Sequence, residues 1–188
     1  MKNFKTLFVA ILALSFFSFS MLNDKKVDVK ESSIQWTGKK VTGKHEGTIA
    51  IESGTLSFDG DNLVGGEFVI DMTTINVTDL QGKGKNSLEG HLKSDDFFGV
   101  EKHNKASFKI NSVSKVEGNT HKISGDITIK SITQPISFDM VVEENYATAK
   151  VTIDRSKFDI RYGSPSFFND LKDKAIYDDF DLDIKLVY

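Results

Sequence analysis

The 188-residue sequence contains no cysteine, no net positive charge and, after its first twenty residues, no apolar stretch of membrane-spanning length. Without cysteine there is no disulfide framework, no thiolate metal ligand and no lipid attachment at a cleavage-site cysteine. The protein must therefore be held together by its hydrophobic core. No internal repeat or linker-like stretch divides the chain, so we expect a single domain after any processed end.

The first twenty residues differ in composition from the rest. Lys2 and Lys5 give a positive start, an apolar run covers Leu7–Leu14, and serines alternate with phenylalanines up to Ser20. This order is typical of a secretory signal peptide, so we predict one at residues 1–20. The alternative is an uncleaved membrane anchor, which the interspersed serines disfavour. The mature domain is then periplasmic or secreted, with no stable membrane insertion after signal cleavage.

The charge pattern of the mature chain excludes one class of partner. Loss of residues 1–20 would remove two lysines and no acidic residue, which shifts the formal net charge from −3 to −5. Acidic and basic residues are interspersed along the remainder. A nucleic-acid partner requires a basic face, so we predict no nucleic-acid binding. The remaining length is sufficient to bury a self-supporting core without disulfides.

A helical segment at residues 87–98 interrupts an otherwise strand-like sequence. Leu88 and Leu92 are four residues apart and would share one face of a helix, with His91 beside them. Two adjacent phenylalanines follow at once, where a loop is normally polar. We therefore predict a short helix and an apolar turn that cover the open end of a β-barrel.

The rest of the mature chain alternates between apolar and polar residues. Residues 123–130 show this two-residue period most clearly, residues 133–135 break it, and turn-forming stretches such as 59–62 and 118–119 separate roughly eight such runs. Strands with one apolar face need a shared interior, which a sandwich or a closed barrel supplies, and closure also removes the sheet edges. We predict an all-β fold, an eight-stranded antiparallel β-barrel with a short helical cap between strands.

Small residues on the inward faces, Gly125, Ala106, Ala147 and Ala149, favour an internal cavity over a solid core. An eight-stranded barrel is either just filled by side chains or holds one slim ligand. An aliphatic and aromatic lining would suit a long apolar chain, because each buried methylene contributes about 0.8 kcal/mol. Polar groups near the mouth would meet a head group. The candidate ligand-binding residues are Trp36, His45, Ile49, Phe68, Ile70, Met72, Leu88, His91, Leu92, Phe97, Phe98, Phe108, Ile127, Ile129, Phe138, Met140, Arg155, Phe158, Phe167 and Phe168.

An ordered series of short motifs runs along the mature chain, at residues 36–39, 43–47, 68–72, 88–98, 106–108, 125–129 and 155–160. The most specific is Leu-Glu-Gly-His-Leu-Lys-Ser-Asp-Asp-Phe-Phe at 88–98. In this order the motifs resemble the YceI-like family of exported lipid-binding proteins, over residues 27–188, which is nearly the whole of the expected mature domain at 21–188. The resemblance implies a lipocalin-like eight-stranded barrel with a long apolar pocket for polyisoprenoid chains. The chain departs from the family at Asn104, where proline is frequent, and at Ser131, where glycine is common.

For several residues, a specific chemical role competes with a purely structural one. His45, His91, His103 and His121 have no metal-ligand spacing, so we predict no metal site. Adjacent aspartates would point in opposite directions on a strand, which suggests solvated or capping roles. The paired phenylalanines at 97–98 and 167–168 are expected either to plug the core or to line the pocket mouth.

The pattern leaves three functional hypotheses. The first is non-catalytic binding or carriage of a long apolar, polyisoprenoid-type lipid or related amphiphile, without any other cofactor. The second is a small hydrolase or isomerase that uses His91 with a carboxylate. The third is a filled barrel that binds a partner protein. A homodimer remains open under each of them.

Overall fold

The structure is a computed structural model that describes residues 22–188, so the predicted signal peptide lies outside the described residues. The described part contains nine strands, one α-helix and two short 3₁₀ turns. The helix α1 spans Gly82–Lys93, and the 3₁₀ turns span Arg155–Phe158 and Lys172–Lys174. The strands are β1 (Leu22–Lys26), β2 (Ser33–Lys40), β3 (Gly43–Asp59), β4 (Asn62–Val77), β5 (Lys105–Glu117), β6 (Thr120–Ile129), β7 (Ile132–Val142), β8 (Tyr146–Asp154) and β9 (Ile176–Val187).

Strands β2 to β9 close into an eight-stranded antiparallel barrel, which confirms the predicted fold. Their order around the barrel is β3-β2-β9-β8-β7-β6-β5-β4, and β4 pairs back onto β3. The short strand β1 is an addition that the alternation pattern did not predict. It shares one edge of the 17-residue strand β3 with β2, because the register places Ile34 opposite Ile49 and Leu22 opposite Asp59.

The connection into β7 differs from the prediction. A break was expected at residues 133–135, but β7 continues through Pro135, and the chain reverses earlier at Lys130 and Ser131, whose φ angles are 51° and 63°. Two positive φ angles define the hairpin turn that matches strand twist. Pairing between β7 and β8 is limited to residues 140–142 and 147–149, so Pro135 lies where β7 lacks a neighbour on its β8 side. An unpaired edge tolerates a residue without an N–H group.

One half of the barrel interior is solidly packed. Leu56, Ile123 and Ala147 have no exposed surface, and Met140 and Leu186 are almost completely buried. The chain that follows β1 crosses this end and is held there by backbone hydrogen bonds to β3 and β9. Burial of each large aliphatic side chain contributes about 1.5–3 kcal/mol. This end of the barrel therefore contributes much of the stability.

The expectation that Gly125 leaves empty space was wrong. Ring atoms of Phe108 lie 2.8 Å from the position that a Gly125 Cβ would occupy. The same ring stacks on Phe68 at 6.4 Å and tilts against Phe138 at 5.5 Å between centroids. The glycine thus makes room for a side chain of the neighbouring strand. Of the four small inward residues, only Ala106 borders the cavity described below.

Helix α1 begins earlier than predicted, at Gly82, and ends at Lys93. It contains no buried residue and packs mainly against β4. Polar contacts fix it there: the Val77 N–H donates to Glu89 at 2.8 Å, and the Lys85 ammonium donates to Asn76 at 2.6 Å. The Val77 hydrogen bond, assisted by Lys85, lowers the pKa of the Glu89 carboxyl. The cap is therefore a surface helix with a small apolar footprint.

Candidate functional site

An apolar cavity of about 140 Å³ lies between the barrel wall and the cap, in the half that the core leaves open. Its accessible surface is entirely apolar. Strands β2, β3, β4, β5, β6, β8 and β9 and the segment at the end of α1 all contribute to the lining. Because side chains alternate along a strand, lining residues of β2 and β6 are two positions apart, as are Ile34, Trp36 and Gly38, and Ile127 and Ile129.

Half of the residues predicted from sequence line this cavity. They are Trp36, Ile49, Ile70, Met72, Leu92, Phe97, Phe98, Ile127, Ile129 and Arg155. The other ten do not. Five of them belong to the packed interior, namely Phe68, Phe108, Phe138, Met140 and Phe158. Leu88 and His91 lie in the cap helix, His45 lies in β3, and Phe167 and Phe168 lie exposed in the loop before β9.

Ten further lining residues were not among the predicted ligand-binding residues, although Ala106 was expected on an inward face: Ile34, Gly38, Ile75, Ala106, Ile153, Ile176, Tyr177, Asp179, Phe180 and Leu182. A systematic reading of the alternation would have found several of them, because Ile34, Phe180 and Leu182 lie on the apolar faces of their strands. No sequence signal marks Tyr177 and Asp179. They border the cavity because β9 bulges there.

The bulge in β9 places the mouth of the cavity. Lys40 pairs with Ile176 and Gly38 pairs with Phe180, so β9 has two more residues than β2 between these pairs. A bulge of this kind bends the strand and turns aside the residues within it. Tyr177 and Asp179 are the exposed members of the lining and lie in this bulge. The cavity therefore reaches solvent at the β9 bulge.

The turn after α1 forms the roof of the cavity. Phe97 is 7% exposed, and its ring meets that of Phe98 at 5.1 Å in an edge-to-face arrangement. Phe98 in turn contacts Phe180 at 6.3 Å. This phenylalanine pair combines the two alternatives expected from the sequence, because both rings line the cavity while Phe97 is part of the buried core and Phe98 packs against it. The pair at 167–168 is different: with 40% and 49% exposure, neither ring plugs the core.

Arg155 is the one buried cation of the described chain, with 1% of its surface exposed. Its guanidinium donates hydrogen bonds to the carbonyl oxygens of Tyr177 at 3.2 Å, Ile160 at 2.8 Å and Ile176 at 2.9 Å. It also pairs with Asp178 at 3.3 Å. The donors thus point to protein acceptors rather than to the cavity. Arg155 ties the β9 bulge to the end of β8 and positions the mouth.

The surroundings of Arg155 explain how a buried charge is retained. Burial lowers the pKa of the guanidinium, while the charges of Asp178 and Asp154 oppose that shift. The guanidinium carbon lies 5.4 Å from the centre of the Phe97 ring, a cation–π arrangement. Arg155 therefore contacts both the roof of the cavity, through the Phe97 ring, and the β9 bulge, through Asp178.

The histidines show no acid–base arrangement at the cavity. His91 packs its ring against Tyr162 at 4.3 Å and Phe97 at 5.7 Å, and its buried Nε2 has no hydrogen-bond partner among the described residues. His45 instead pairs with Asp79 at 2.8 Å, outside the cavity lining. Burial raises the pKa of Asp79, but hydrogen bonds from His45 and a backbone N–H outweigh burial and lower it.

Residues 22–188 contain neither a metal-binding cluster nor a membrane-spanning helix. No three His, Asp or Glu side chains are arranged there to hold a metal ion. In the same residues, no helix is long and apolar enough to cross a membrane.

The fold and the cavity define the class of protein: a closed eight-stranded antiparallel barrel with an apolar interior chamber under a helical cap. BcnA of Burkholderia cenocepacia is similar, with a TM-score of 0.68 and 20% identity over 86% of this chain and 99% of that chain. A polyisoprenoid binding domain from Saccharophagus degradans, implicated in plant cell wall breakdown, has a TM-score of 0.63 and 14% identity over 88% and 97% of the two chains. At these identities the likeness establishes the fold alone.

The family follows from the sequence match. The model of the YceI-like domain matches residues 26–188, so the chain belongs to this family, as its motifs suggested. A UPF0312 protein of Ectopseudomonas mendocina (strain ymp) is 30% identical over 90 residues, which cover 48% of this chain and 45% of that protein. The chain spans less than half the length of the curated relatives it matches.

Proposed function

We propose that this protein binds the apolar chain of a polyisoprenoid-type lipid or related amphiphile, without catalysis. The observation that carries the proposal is the cavity itself, whose accessible lining is entirely apolar and whose mouth is open to solvent. An apolar chain gains free energy there by leaving water and requires no dedicated polar contact. The polar end of an amphiphile would remain outside, at the β9 bulge.

The size of the cavity limits how much of the chain it encloses. A dry cavity of about 150 Å³ holds a molecule the size of benzene, and the cavity here measures about 140 Å³. The cavity therefore has room for about one isoprene unit. Burial of its carbon atoms would contribute about 4 kcal/mol, which corresponds to a dissociation constant in the millimolar range. Micromolar affinity requires about 8 kcal/mol, so a longer chain must widen the cavity. Phe97 and Phe98 in the roof are the side chains whose rotation would do so.

Two further observations support binding over the alternatives. The similar domain from Saccharophagus degradans carries the description polyisoprenoid binding, on the same barrel. A hydrolase or isomerase would need a titrating pair at the substrate. Among the described residues, His91 packs against Tyr162 and Phe97 and pairs with no carboxylate, and the His45–Asp79 pair lies outside the lining. A filled barrel is disfavoured by the cavity. Carriage between compartments and a periplasmic or secreted location are part of the proposal and depend on the predicted signal peptide.

The test compares ligand uptake by two variants of neighbouring residues. Ala106 faces the cavity, whereas Ser107, the next residue of β5, is exposed on the outer face. Ala106→Phe would place a ring in the cavity, and Ser107→Phe adds the same ring outside it. Each protein is incubated with isoprenoid alcohols of increasing chain length and analysed by native mass spectrometry. Lipid extraction of protein purified from its host identifies any resident ligand.

The unmodified protein and Ser107→Phe are expected to take up one chain per molecule, and Ala106→Phe to take up none. Circular dichroism and thermal unfolding of all three proteins check that Ala106→Phe remains folded. Uptake by Ala106→Phe equal to that of the other two would place the ligand elsewhere. Absence of uptake by the unmodified protein, together with lipid-free host material, would refute the proposed function.

A further inference from the structure

A row of phenylalanine rings closes the cavity on the side of the packed half. Ile70 and Ala106 pair across β4 and β5, and both line the cavity. The next inward pair of these strands toward the packed half is Phe68 and Phe108, and it does not line the cavity. Because inward side chains follow one another at two-residue intervals along a strand, this pair lies directly beneath the cavity. Phe68 and Phe108, together with Phe138, are here called the aromatic floor.

The three rings of the aromatic floor contact one another across the barrel. Phe108 stacks on Phe68 at 6.4 Å and tilts against Phe138 at 5.5 Å between ring centroids. Its reach across β6 to β7 depends on Gly125, because Phe108 ring atoms lie 2.8 Å from the position that a Cβ there would occupy. Phe108 is therefore the central ring of the floor, next to Ala106 and the cavity on one side and to Phe138 on the other.

The barrel wall beyond Phe138 is incompletely paired. Strand β7 pairs with β6 along nearly its whole length, and β8 pairs with β9 along all of its length. Between β7 and β8, however, the register is confined to residues 140–142 and 147–149. Residues 135–139 of β7 and 150–153 of β8 have no ladder partners in each other's strand, and this stretch is here called the seam.

Inward side chains of β7 are partly exposed along the seam. Ile136 and Phe138 are half-buried, although neither lines the cavity. Met140, the inward residue at which pairing with β8 begins, is only 4% exposed. The accessible surface of Phe138 therefore lies toward the seam, and its ring separates Phe108 from solvent at this part of the wall.

We propose that Phe108 sets the length of the apolar chain that this protein encloses, and that a chain too long for the cavity displaces its ring toward the seam. The inference rests on the proposed function, because it concerns a chain bound in the same cavity. Rotation of Phe97 and Phe98 would widen the cavity at its roof, whereas Phe108 limits its depth. A densely packed interior yields only when side chains move or hydrogen bonds break. At the seam no ladder hydrogen bond has to break, and the ring to be moved, that of Phe138, is already partly exposed.

The space that the Phe108 ring occupies corresponds to a short piece of such a chain. A dry cavity of about 150 Å³ holds one benzene molecule, so Phe108→Ala would extend the cavity by room for about one isoprene unit. The variant Phe108→Leu removes less volume and extends the cavity by less. Because removal of a buried ring destabilises a protein, the leucine variant is the one expected to retain most of the stability.

The first experiment measures affinity as a function of chain length. Trp36, the single tryptophan, lines the cavity, so its fluorescence reports the binding of isoprenoid alcohols of increasing length. The unmodified protein is compared with Phe108→Ala and Phe108→Leu. The matched controls are Phe58→Ala and Phe58→Leu, because Phe58 is 4% exposed and packs against Tyr188 at 5.8 Å in the packed half. Circular dichroism and thermal unfolding check that each protein is folded.

Affinity for the unmodified protein is expected to rise with chain length and to level off at one length, here called the plateau. Phe108→Ala should move the plateau up by about one isoprene unit and bind a chain of that length at least about tenfold more tightly than the unmodified protein does. Phe108→Leu should act in the same direction, and it decides the result if the alanine variant does not fold. An unchanged plateau in the Phe108 variants, or an equal shift in the Phe58 variants, would overturn the inference.

The second experiment restrains the seam. Ser137 and Thr152 are exposed on the outer faces of β7 and β8, and they would lie opposite each other if the register of Met140 and Ala149 continued. Since the chain has no cysteine, Ser137→Cys with Thr152→Cys can be bridged selectively by a bifunctional maleimide, and mass spectrometry verifies the bridge. The control is Ser124→Cys with Ser137→Cys, because the hydroxyls of these two serines lie 2.7 Å apart across the paired strands β6 and β7.

A bridge across the seam should lower the plateau to shorter chains, whereas the control bridge should leave it unchanged. The physical reason is that a restrained seam cannot receive the displaced rings of the aromatic floor. Equal plateaus for the two bridged proteins would refute displacement toward the seam.

The two proposals fail in different ways. If isoprenoid alcohols of every length leave the Trp36 fluorescence of the unmodified protein unchanged and are not taken up, the proposed function fails, and the inference fails with it. If short chains bind but the Phe108 variants keep the plateau of the unmodified protein, the inference alone is refuted.

Discussion

Replacement of Arg155 by methionine should destabilise the protein far more than loss of a surface charge would. The variant Arg155→Met keeps an apolar stem of similar length but removes every guanidinium donor. Three backbone carbonyls, those of Ile160, Ile176 and Tyr177, then lose their hydrogen bonds in a buried site. Asp178 is left without its cation, although its side chain is only 13% exposed.

The magnitude follows from these partners. A hydrogen bond contributes about 0.5–1.5 kcal/mol net, and three of them give about 3 kcal/mol. Removing one partner of a buried ion pair costs about 3–5 kcal/mol, because the remaining charge is uncompensated. These figures overlap, since the same donors serve both roles. We therefore expect Arg155→Met to lower the free energy of unfolding by about 3–5 kcal/mol.

Urea unfolding at neutral pH measures this loss, with fluorescence from Trp36, the single tryptophan, as the signal. The double variant Arg155→Met with Asp178→Asn removes the uncompensated carboxylate and should recover about 1 kcal/mol or more relative to the sum of the single effects. Arg155→Met with a loss below about 1 kcal/mol, or additive single and double variants, would refute the assigned role of the buried pair.

Two other predictions follow from local geometry and from titration. Gly125→Ala should destabilise by more than about 2 kcal/mol, because its Cβ would overlap the Lys109 carbonyl and the Phe108 ring, while Gly90→Ala, in open space on α1, should stabilise by about 0.5–1 kcal/mol. If chemical denaturation gave equal changes in the free energy of unfolding for Gly125→Ala and Gly90→Ala, the close approach of neighbouring atoms at Gly125 would be contradicted. Burial, assisted by Glu143, raises the pKa of Tyr188 to about 12 from 10.0. Stability should therefore fall as the pH rises from 10 to 12, and Tyr188→Phe should remove this alkaline decline; an unchanged decline would assign it to another group.

The sequence predicted the barrel well because the alternation of apolar and polar residues is a property of each strand by itself. Residues 123–130 show it, and Ile127 and Ile129 do line the cavity. Alternation identifies the inward face but not the height along the barrel at which a side chain lies. Phe68 and Phe108 share that face with Ile70 and Ala106, yet their rings pack against each other instead of lining the cavity.

The cap helix α1 shows the same limit of prediction from sequence spacing. Leu88, His91 and Leu92 were placed on one helical face from their spacing, and all three are partly buried in α1. Only Leu92 reaches the cavity, because the packing of α1 against β4 decides which part of that face meets the interior. That packing depends on contacts such as the Val77–Glu89 hydrogen bond, which joins residues from different elements.

The amino-acid order alone determined the strand count of the barrel, the position of the cap and the family, because periodicity and short motifs are local properties. The tertiary structure alone decided that the cavity occupies one half of the barrel, that its mouth lies at the β9 bulge, and that Arg155 faces backbone carbonyls instead of a ligand. These features depend on contacts between residues far apart in the chain, as between Arg155 and Tyr177. No local pattern encodes them, since each requires the strands to have closed first.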